Sequence, residues 1–185
     1  MDMSNGYLML ILGPMFSGKS TKLIQFINKY KTLNKKMLII KPSIDNRYTS
    51  TDICTHDMQT QRCKCIDHDK LKHIFGDDEY INSQIIIIEE GQFFENLFEI
   101  ISQMLIDKKT IYISALNGDS NQQLFGEIYK LMPICDNIEF LHALCLDCSD
   151  GTPAIFSKRL NNNNNNNQIL VAGANEYKAV CRYHF

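Results

Sequence analysis

At 185 residues, 44% of them hydrophobic, the chain can bury one ordinary core with room for a small appendage, and its composition excludes a disordered polymer. Nineteen basic residues against 21 acidic ones leave a formal net charge of −2, which excludes a global attraction to nucleic acid or anionic lipid. The opening residues Met1-Asp2-Met3-Ser4-Asn5-Gly6 lack a basic leader and Tyr7 to Leu12 is too short to span a bilayer, so a cytoplasmic protein with no membrane and no nucleic-acid partner is expected.

The apolar run Tyr7 to Leu12 predicts a buried strand, and it opens into Gly13-Pro14-Met15-Phe16-Ser17-Gly18-Lys19-Ser20, a complete G-x-x-x-x-G-K-[ST] phosphate loop. Binding an anion there requires several backbone N–H groups aimed inward, and Gly13 and Gly18 allow the tight turn and leave room for phosphate oxygens. Lys19 offers a point charge to the β- and γ-phosphates and Ser20 a hydroxyl to Mg²⁺, while the following helix adds its N-terminal dipole. A strand before and a helix after favour bound nucleotide, with ATP as the expected ligand, over an ordinary glycine-rich turn.

Leu23, Ile24, Ile27 and Tyr30 then fall at helical spacing, and Met37 to Ile40 predicts a second strand. Cys63-Lys64-Cys65 has poor spacing for a zinc knuckle and is assigned no role, like Cys54 and Cys135. Ile85 to Ile88 predicts a strand buried on both faces, ending in Glu89-Glu90-Gly91-Gln92-Phe93-Phe94. In a phosphate-loop protein this is the position where one carboxylate orients water around Mg²⁺ and a second accepts a proton from an attacking hydroxyl or water. Leu97, Ile100, Ile101, Met104 and Leu105 form another helical stripe, Ile111 to Ile113 another strand, and Phe125 to Met132 a third helix ended by Pro133. The alternation predicts an α/β fold with a mainly parallel sheet flanked by helices and its ligand at the carboxyl ends of the strands.

Composition shifts near His142. Cys145-Leu146-Asp147-Cys148 and Cys181-Arg182-Tyr183-His184 are two ligand pairs, separated by 32 intervening residues, that together make a closed Cys₃His set for structural Zn²⁺. The odd total of seven cysteines points to reduced thiols rather than a disulfide framework. Such a metal would pin both ends of the 149–180 segment in place of a core. Within it, Asn161 to Asn167 reads as a solvated hairpin tip or loop expansion, beside a short β-like stretch at Ile169 to Ala172.

These motifs together resemble the type II thymidine kinases, the zinc-containing family with a RecA-like core and a carboxyl-terminal lasso. The resemblance runs from Gly6 to Phe185 through the phosphate loop and Thr21, Asp45-Asn46-Arg47-Tyr48, Thr55-His56-Asp57, Glu90-Gly91-Gln92-Phe93-Phe94, Ala115-Leu116-Asn117-Gly118, Phe125-Gly126 and the two zinc pairs. It implies a phosphate-loop nucleotide-binding domain at 1–142 and a zinc-binding lasso domain at 143–185 that covers a nucleoside site. The implied reaction moves the γ-phosphoryl group of ATP to the 5′-hydroxyl of thymidine, with Glu90 as proton acceptor. Glu89 would serve the Mg²⁺ side through water, Asp45, Asn46 and Arg47 the nucleotide phosphates, and the segment Glu89 to Gln92 the rest of the ATP site. Met15, Phe93, Leu116, Phe125 and Tyr177 would surround the base, with Ser120, Ser157 and Arg159 lining the pocket. Main-chain groups of Gln168, Ile169, Leu170, Val171 and Ala172 would read the base edge. The resemblance further implies a homotetramer inhibited by thymidine triphosphate.

The chain departs from the family pattern at Glu89 and Asn117, where aspartate is usual, and at Ser120, where an aromatic residue is usual. Two alternatives stand beside this reading: a kinase for another deoxynucleoside, and an ATP-driven protein whose zinc knuckle binds nucleic acid. Against the second, the knuckle region has no dense run of Lys and Arg with interleaved aromatics.

Overall fold

Parallel strands are joined by crossovers that cover both faces of a sheet, so their residues must be apolar on both sides. In the computed structural model, which describes residues 5–44, 52–54, 60–160 and 176–185, this requirement organises the chain. The strands are β1 (Tyr7–Gly13), β2 (Met37–Pro42), β3 (Asp52–Cys54), β4 (Thr60–Arg62), β5 (Lys64–Ile66), β6 (Ile85–Ile88), β7 (Thr110–Leu116) and β8 (Asn137–Phe140), then the shorter β9 (Ala143–Leu144), β10 (Pro153–Ala154), β11 (Phe156–Arg159) and β12 (Tyr177–Val180). The α-helices are α1 (Lys19–Thr32), α2 (Asp78–Asn82), α3 (Leu97–Ile106) and α4 (Ile128–Leu131).

Six strands make one sheet in the order β5-β2-β6-β7-β1-β8, and every pairing in it is parallel. Because side chains alternate along a strand, Leu8, Leu10 and Leu12 face one way with Ile86, Ile88, Ile111 and Ile113, against α3 and α4. Met9 and Ile11 face the other way with Ile39, Ile85 and Ile87, against Leu23, Ile24, Ile27 and Tyr30 of α1. The predicted α/β class, its strands and its first two helices are all present.

The third predicted helix is shorter than expected. It begins at Ile128, not Phe125, because Gly126 sits at φ +61 with its Cα against Gln92, where a Cβ would lie 2.2 Å from the Gln92 carbonyl oxygen. It ends at Leu131 and passes into a 3₁₀ turn, Met132–Ile134, that contains Pro133. Strands β5 and β8 were not anticipated: they are the edges of the sheet, and an edge strand needs no continuous apolar run.

Beyond β8, two small antiparallel ladders, β9 with β10 and β11 with β12, share a cluster of Ala143, Cys145, Ala154, Ala179, Val180 and Cys181. Phe16 of the phosphate loop packs against this cluster, so the carboxyl-terminal part is built onto the loop. Leu160 N donates to Glu176 O at 2.8 Å, one residue beyond the Arg159–Tyr177 pair that ends the β11–β12 ladder. The asparagine tract and the Ile169–Ala172 stretch lie outside the described residues. Among the described residues, no helix is long and apolar enough to cross a membrane.

Lys109 ties together the starts of the two strands that matter most for the site. Its buried ammonium donates to Tyr80 O at 2.8 Å, Ile81 O at 3.3 Å and Ser83 O at 2.7 Å, and lies 4.5 Å from the Tyr80 ring centre. The three carbonyls are the frayed carboxyl end of α2 just before β6, while Lys109 itself leads into β7. Lys109→Met is therefore expected to leave three acceptors without their cation and to lower stability by about 2–3 kcal/mol in urea denaturation. A variant as stable as the native chain would reject this pin.

Candidate active site

The parallel register sets the site. Gly13 pairs with Leu116 and Ile88 with Ile113, so the phosphate loop after β1, the Glu89-Glu90 segment after β6 and the loop after β7 all leave the same carboxyl edge of the sheet. Gly13 has no space for a side chain: a Cβ would lie 2.5 Å from Leu141 O and 2.6 Å from Ser17 Oγ. Gly18 takes φ +84 at the N-cap of α1, a left-handed turn that lets the loop run straight into the helix. Lys19 is buried, and its Nζ donates to Pro14 O at 2.8 Å, the oxygen that also accepts from Ser17 Oγ at 2.8 Å. Ser20 follows, half-buried, in the first turn of α1.

Glu89 N donates to Ile40 O at 2.9 Å, which carries the β6–β2 pairing one residue past the strand. Glu90 then breaks away at φ 52 and ψ 46, a left-handed conformation that costs a non-glycine residue about 1 kcal/mol or more. Its N–H points at Ser114 Oγ, 3.3 Å away, and its Oε2 accepts from Gln92 Nε2 at 2.6 Å. Gln92 Oε1 in turn accepts from Leu116 N at 3.2 Å. Gly91 lies flat on Ile113, where a Cβ would meet Cγ2 at 2.6 Å. Both carboxylates are buried, Glu89 at 4% and Glu90 at 8% exposure, so each is held away from bulk water beside the phosphate loop's edge.

Around this edge lie the apolar candidates. Phe93 and Phe125 meet edge to face, with ring centres 5.3 Å apart at 84°. Met15 and Tyr177 are buried, and Leu116 is half-buried at the end of β7. Ser157, buried in β11, accepts from Met15 N at 2.9 Å, so the main chain of the phosphate loop is bonded directly to the carboxyl-terminal ladder. Among the described residues, Arg159 Nε is the buried side-chain nitrogen left without a hydrogen-bond partner. Ser120 is half-buried in a loop organised by its neighbour: Asp119 Oδ1 accepts from the N–H groups of Asn121 and Gln123, each at 2.8 Å. Asn117 Nδ2 reaches across to Ile155 O at 3.2 Å. Asp45, Asn46 and Arg47, and the main-chain candidates Gln168 to Ala172, lie outside the described residues.

Three contributors escaped sequence reasoning. Ser114 lies just beyond the predicted Ile111 to Ile113 strand, and no local signal links it to Glu90. Gly126 entered only as part of a motif, and Asp119 had no role assigned. Cys63 deserved its lack of a role, since burial, with Cys65 beside it, pushes its thiol up to about 12, far from a reactive thiolate.

The Cys/His cluster assembles as spaced. Cys148 Sγ is 3.7 Å from Cys181 Sγ, while His184 Nδ1 lies 3.6, 3.3 and 3.5 Å from the sulfurs of Cys145, Cys148 and Cys181. Tetrahedral ligands at ordinary Zn–S and Zn–N lengths stand roughly 3.5–3.8 Å apart, so four donors at these separations fit Zn²⁺. Burial opposes ionisation of Cys145, but N–H groups of Cys181 and Cys148 outweigh it and draw the thiol down to about 6. The four ligand atoms all lie within 4.8 Å of one another, a set that leaves no protein position open for catalysis.

With this geometry in view, comparisons with known proteins agree on one relationship. The family model described as thymidine kinase matches residues 6–185. The thymidine kinase of Rabbit fibroma virus (strain Kasza) is 35% identical over 184 residues, spanning 98% of this chain and 97% of that protein. That of Fowlpox virus (strain NVSL) is 37% identical over 186 residues, spanning 99% and 98%. The cytosolic thymidine kinase of Homo sapiens is 34% identical over 181 residues, spanning 97% of this chain and 73% of that protein.

The cluster makes a direct prediction. Elemental analysis of the purified chain should find about one zinc per chain, and Cys148→Ser should lose it and melt at a lower temperature. Undiminished zinc in that variant would dissolve the four-ligand site.

Proposed function

The chain belongs to the thymidine kinase family, and on that premise we infer that it transfers the γ-phosphoryl group of ATP to the 5′-hydroxyl of thymidine, giving thymidine monophosphate and ADP. The observation that carries this reading is a buried carboxylate, Glu90, held in a left-handed turn on the same sheet edge as the phosphate loop. Phosphoryl transfer is mostly positioning and charge compensation, and these are what such an edge supplies.

In this reading Glu90 accepts the 5′-hydroxyl proton as the oxygen bonds to the γ-phosphorus, and the bond to the bridging oxygen breaks with its electron pair leaving on ADP. Loop N–H groups from Phe16 to Gly18 and the α1 amino end cradle the phosphates, the Met15 N–H staying on Ser157 Oγ, and Lys19 exchanges Pro14 O for a phosphate oxygen. Asp45, Asn46 and Arg47 complete the nucleotide side. Mg²⁺ bound with ATP would supply positive charge against the phosphate oxygens, and the Ser20 hydroxyl and, through water, the Glu89 carboxylate are the hard oxygen donors that would hold it.

The base would lie among Met15, Phe93, Leu116, Phe125 and Tyr177, with Ser120, Ser157 and Arg159 at its margin and Gln168 to Ala172 reading its edge. The edge-to-face Phe93–Phe125 pair supports an aromatic wall suited to a flat pyrimidine. The Cys₃His cluster, with Phe16 and the Met15–Ser157 bond, supports a division into a nucleotide-binding part at 1–142 and a lasso at 143–185 held against it. A cytoplasmic homotetramer with feedback by thymidine triphosphate follows from the family resemblance, and the cytosolic names of the human and chicken relatives support the location.

The test is a labelled phosphate-transfer assay with thymidine, deoxyuridine and deoxycytidine. Thymidine should be phosphorylated, and Glu90→Gln should lose about 10²–10⁴-fold in kcat while ATP affinity stays within about 2-fold. No transfer to thymidine would sink the substrate assignment, and full turnover by the variant would remove Glu90 as proton acceptor.

A further inference from the structure

Resting on the reading of Glu90 as proton acceptor, we propose that Gln92 is the positioning residue that fixes the Glu90 carboxylate for phosphoryl transfer, acting through Glu90 rather than by gripping ATP. Gln92 is 3% exposed, and both ends of its amide are engaged within the protein. One end faces Leu116 N at 3.2 Å, and a backbone N–H can only donate, so that end must be the oxygen. The NH₂ group is therefore forced toward Glu90, where it donates to Oε2 at 2.6 Å. The orientation of the amide is dictated by its partners, with no alternative flip that satisfies both.

The backbone of Gln92 is clamped as well. Gly126, at φ +61, lies so close that a Cβ there would stand 2.2 Å from Gln92 O and 2.9 Å from its carbonyl carbon. Glu90 itself is in a conformation that a glutamate does not adopt unaided, and its own N–H is directed to Ser114 Oγ. Side chain and main chain together hold the carboxylate in one pose. Leu116 is the register partner of Gly13, so the Leu116–Gln92–Glu90 line also ties the proton acceptor to the strand that ends in the phosphate loop.

Misplacing a catalytic group by about 1 Å costs on the order of 10²-fold in rate without weakening ground-state binding. Gln92→Met, which keeps the length and removes both hydrogen bonds, is expected to lower kcat by about 10²-fold with KM for ATP and thymidine within about 2-fold. Gln92→Glu keeps an acceptor for Leu116 N and sets a second carboxyl group against Glu90 Oε2, where the pair shares one proton and Glu90 is a poorer acceptor, so it should lose at least as much. The deciding measurement is the double-mutant cycle with Glu90→Gln: once Glu90 is gone, Gln92→Met should cost less than about 3-fold more. Native kcat in Gln92→Glu, a raised KM for ATP with kcat kept, or fully additive losses in the cycle would each overturn the proposal. Native turnover by Glu90→Gln alone would overturn it together with the reading it rests on, and that result is seen before Gln92 is touched.

Discussion

The in-register parallel pairing of β1, β7 and β6 is the constraint on which the rest depends. It places Gly13 beside Leu116 and brings Ile88 level with Ile113, which obliges three separate loops to leave the sheet side by side. A shift of one residue in any strand would exchange the side chains packed on its two faces and unseat the close-packed contacts on both sides at once. The sheet's core therefore enforces the geometry of its edge. Each of Leu8, Leu10, Ile11, Ile86, Ile87, Ile88, Ile111 and Ile113 is 0% exposed, so slippage has no inexpensive intermediate.

At that edge the protein departs from ordinary backbone geometry where chemistry is expected. Glu90 and Phe16 adopt positive φ without being glycine, while Gly13, Gly91 and Gly126 are places where a Cβ would strike neighbouring atoms. The two kinds of irregularity are related. Close approach by Gly91 and Gly126 lets the Glu89 to Phe93 turn lie flat against β7 and the loop before α4, and this packing sustains the Glu90 conformation. A carboxylate on a flexible loop would need to be ordered anew in every cycle; here the ordering is built into folding.

The parts legible in the sequence were those with a strong local cause. Four isoleucines in a row can only be a strand buried on both faces, Gly13 to Ser20 carries its chemistry in its spacing, and two ligand pairs spaced by two residues announce a tetrahedral site. What stayed hidden was long-range. Asn137 to Phe140 becomes an edge strand only because β1 offers it an edge, and the Phe125 to Glu127 stretch looks helical until Gln92 O is seen occupying the space beside Gly126. Ser114 drew no assignment, since its contact with Glu90 joins residues 24 apart. The reaction and its nucleoside came from the ordered set of motifs, because no single one of them specifies an acceptor.

The Cys₃His cluster bears on the phosphate loop through the small ladders it closes. Cys145 follows β9 and Cys181 follows β12, so a metal there fastens one end of each small ladder. The other end of the β11–β12 ladder closes at Leu160 and Glu176, which fixes the separation of the two chain ends flanking residues 161–175. Between these ends lies Ser157, whose hydroxyl receives the N–H of Met15 in the phosphate loop. Loosening the cluster would therefore free both the chain ends flanking residues 161–175 and the Ser157 restraint on the phosphate loop, a loss of order at two places from one cause. A catalytic metal would fail differently, by removing the chemistry while leaving both binding surfaces in place.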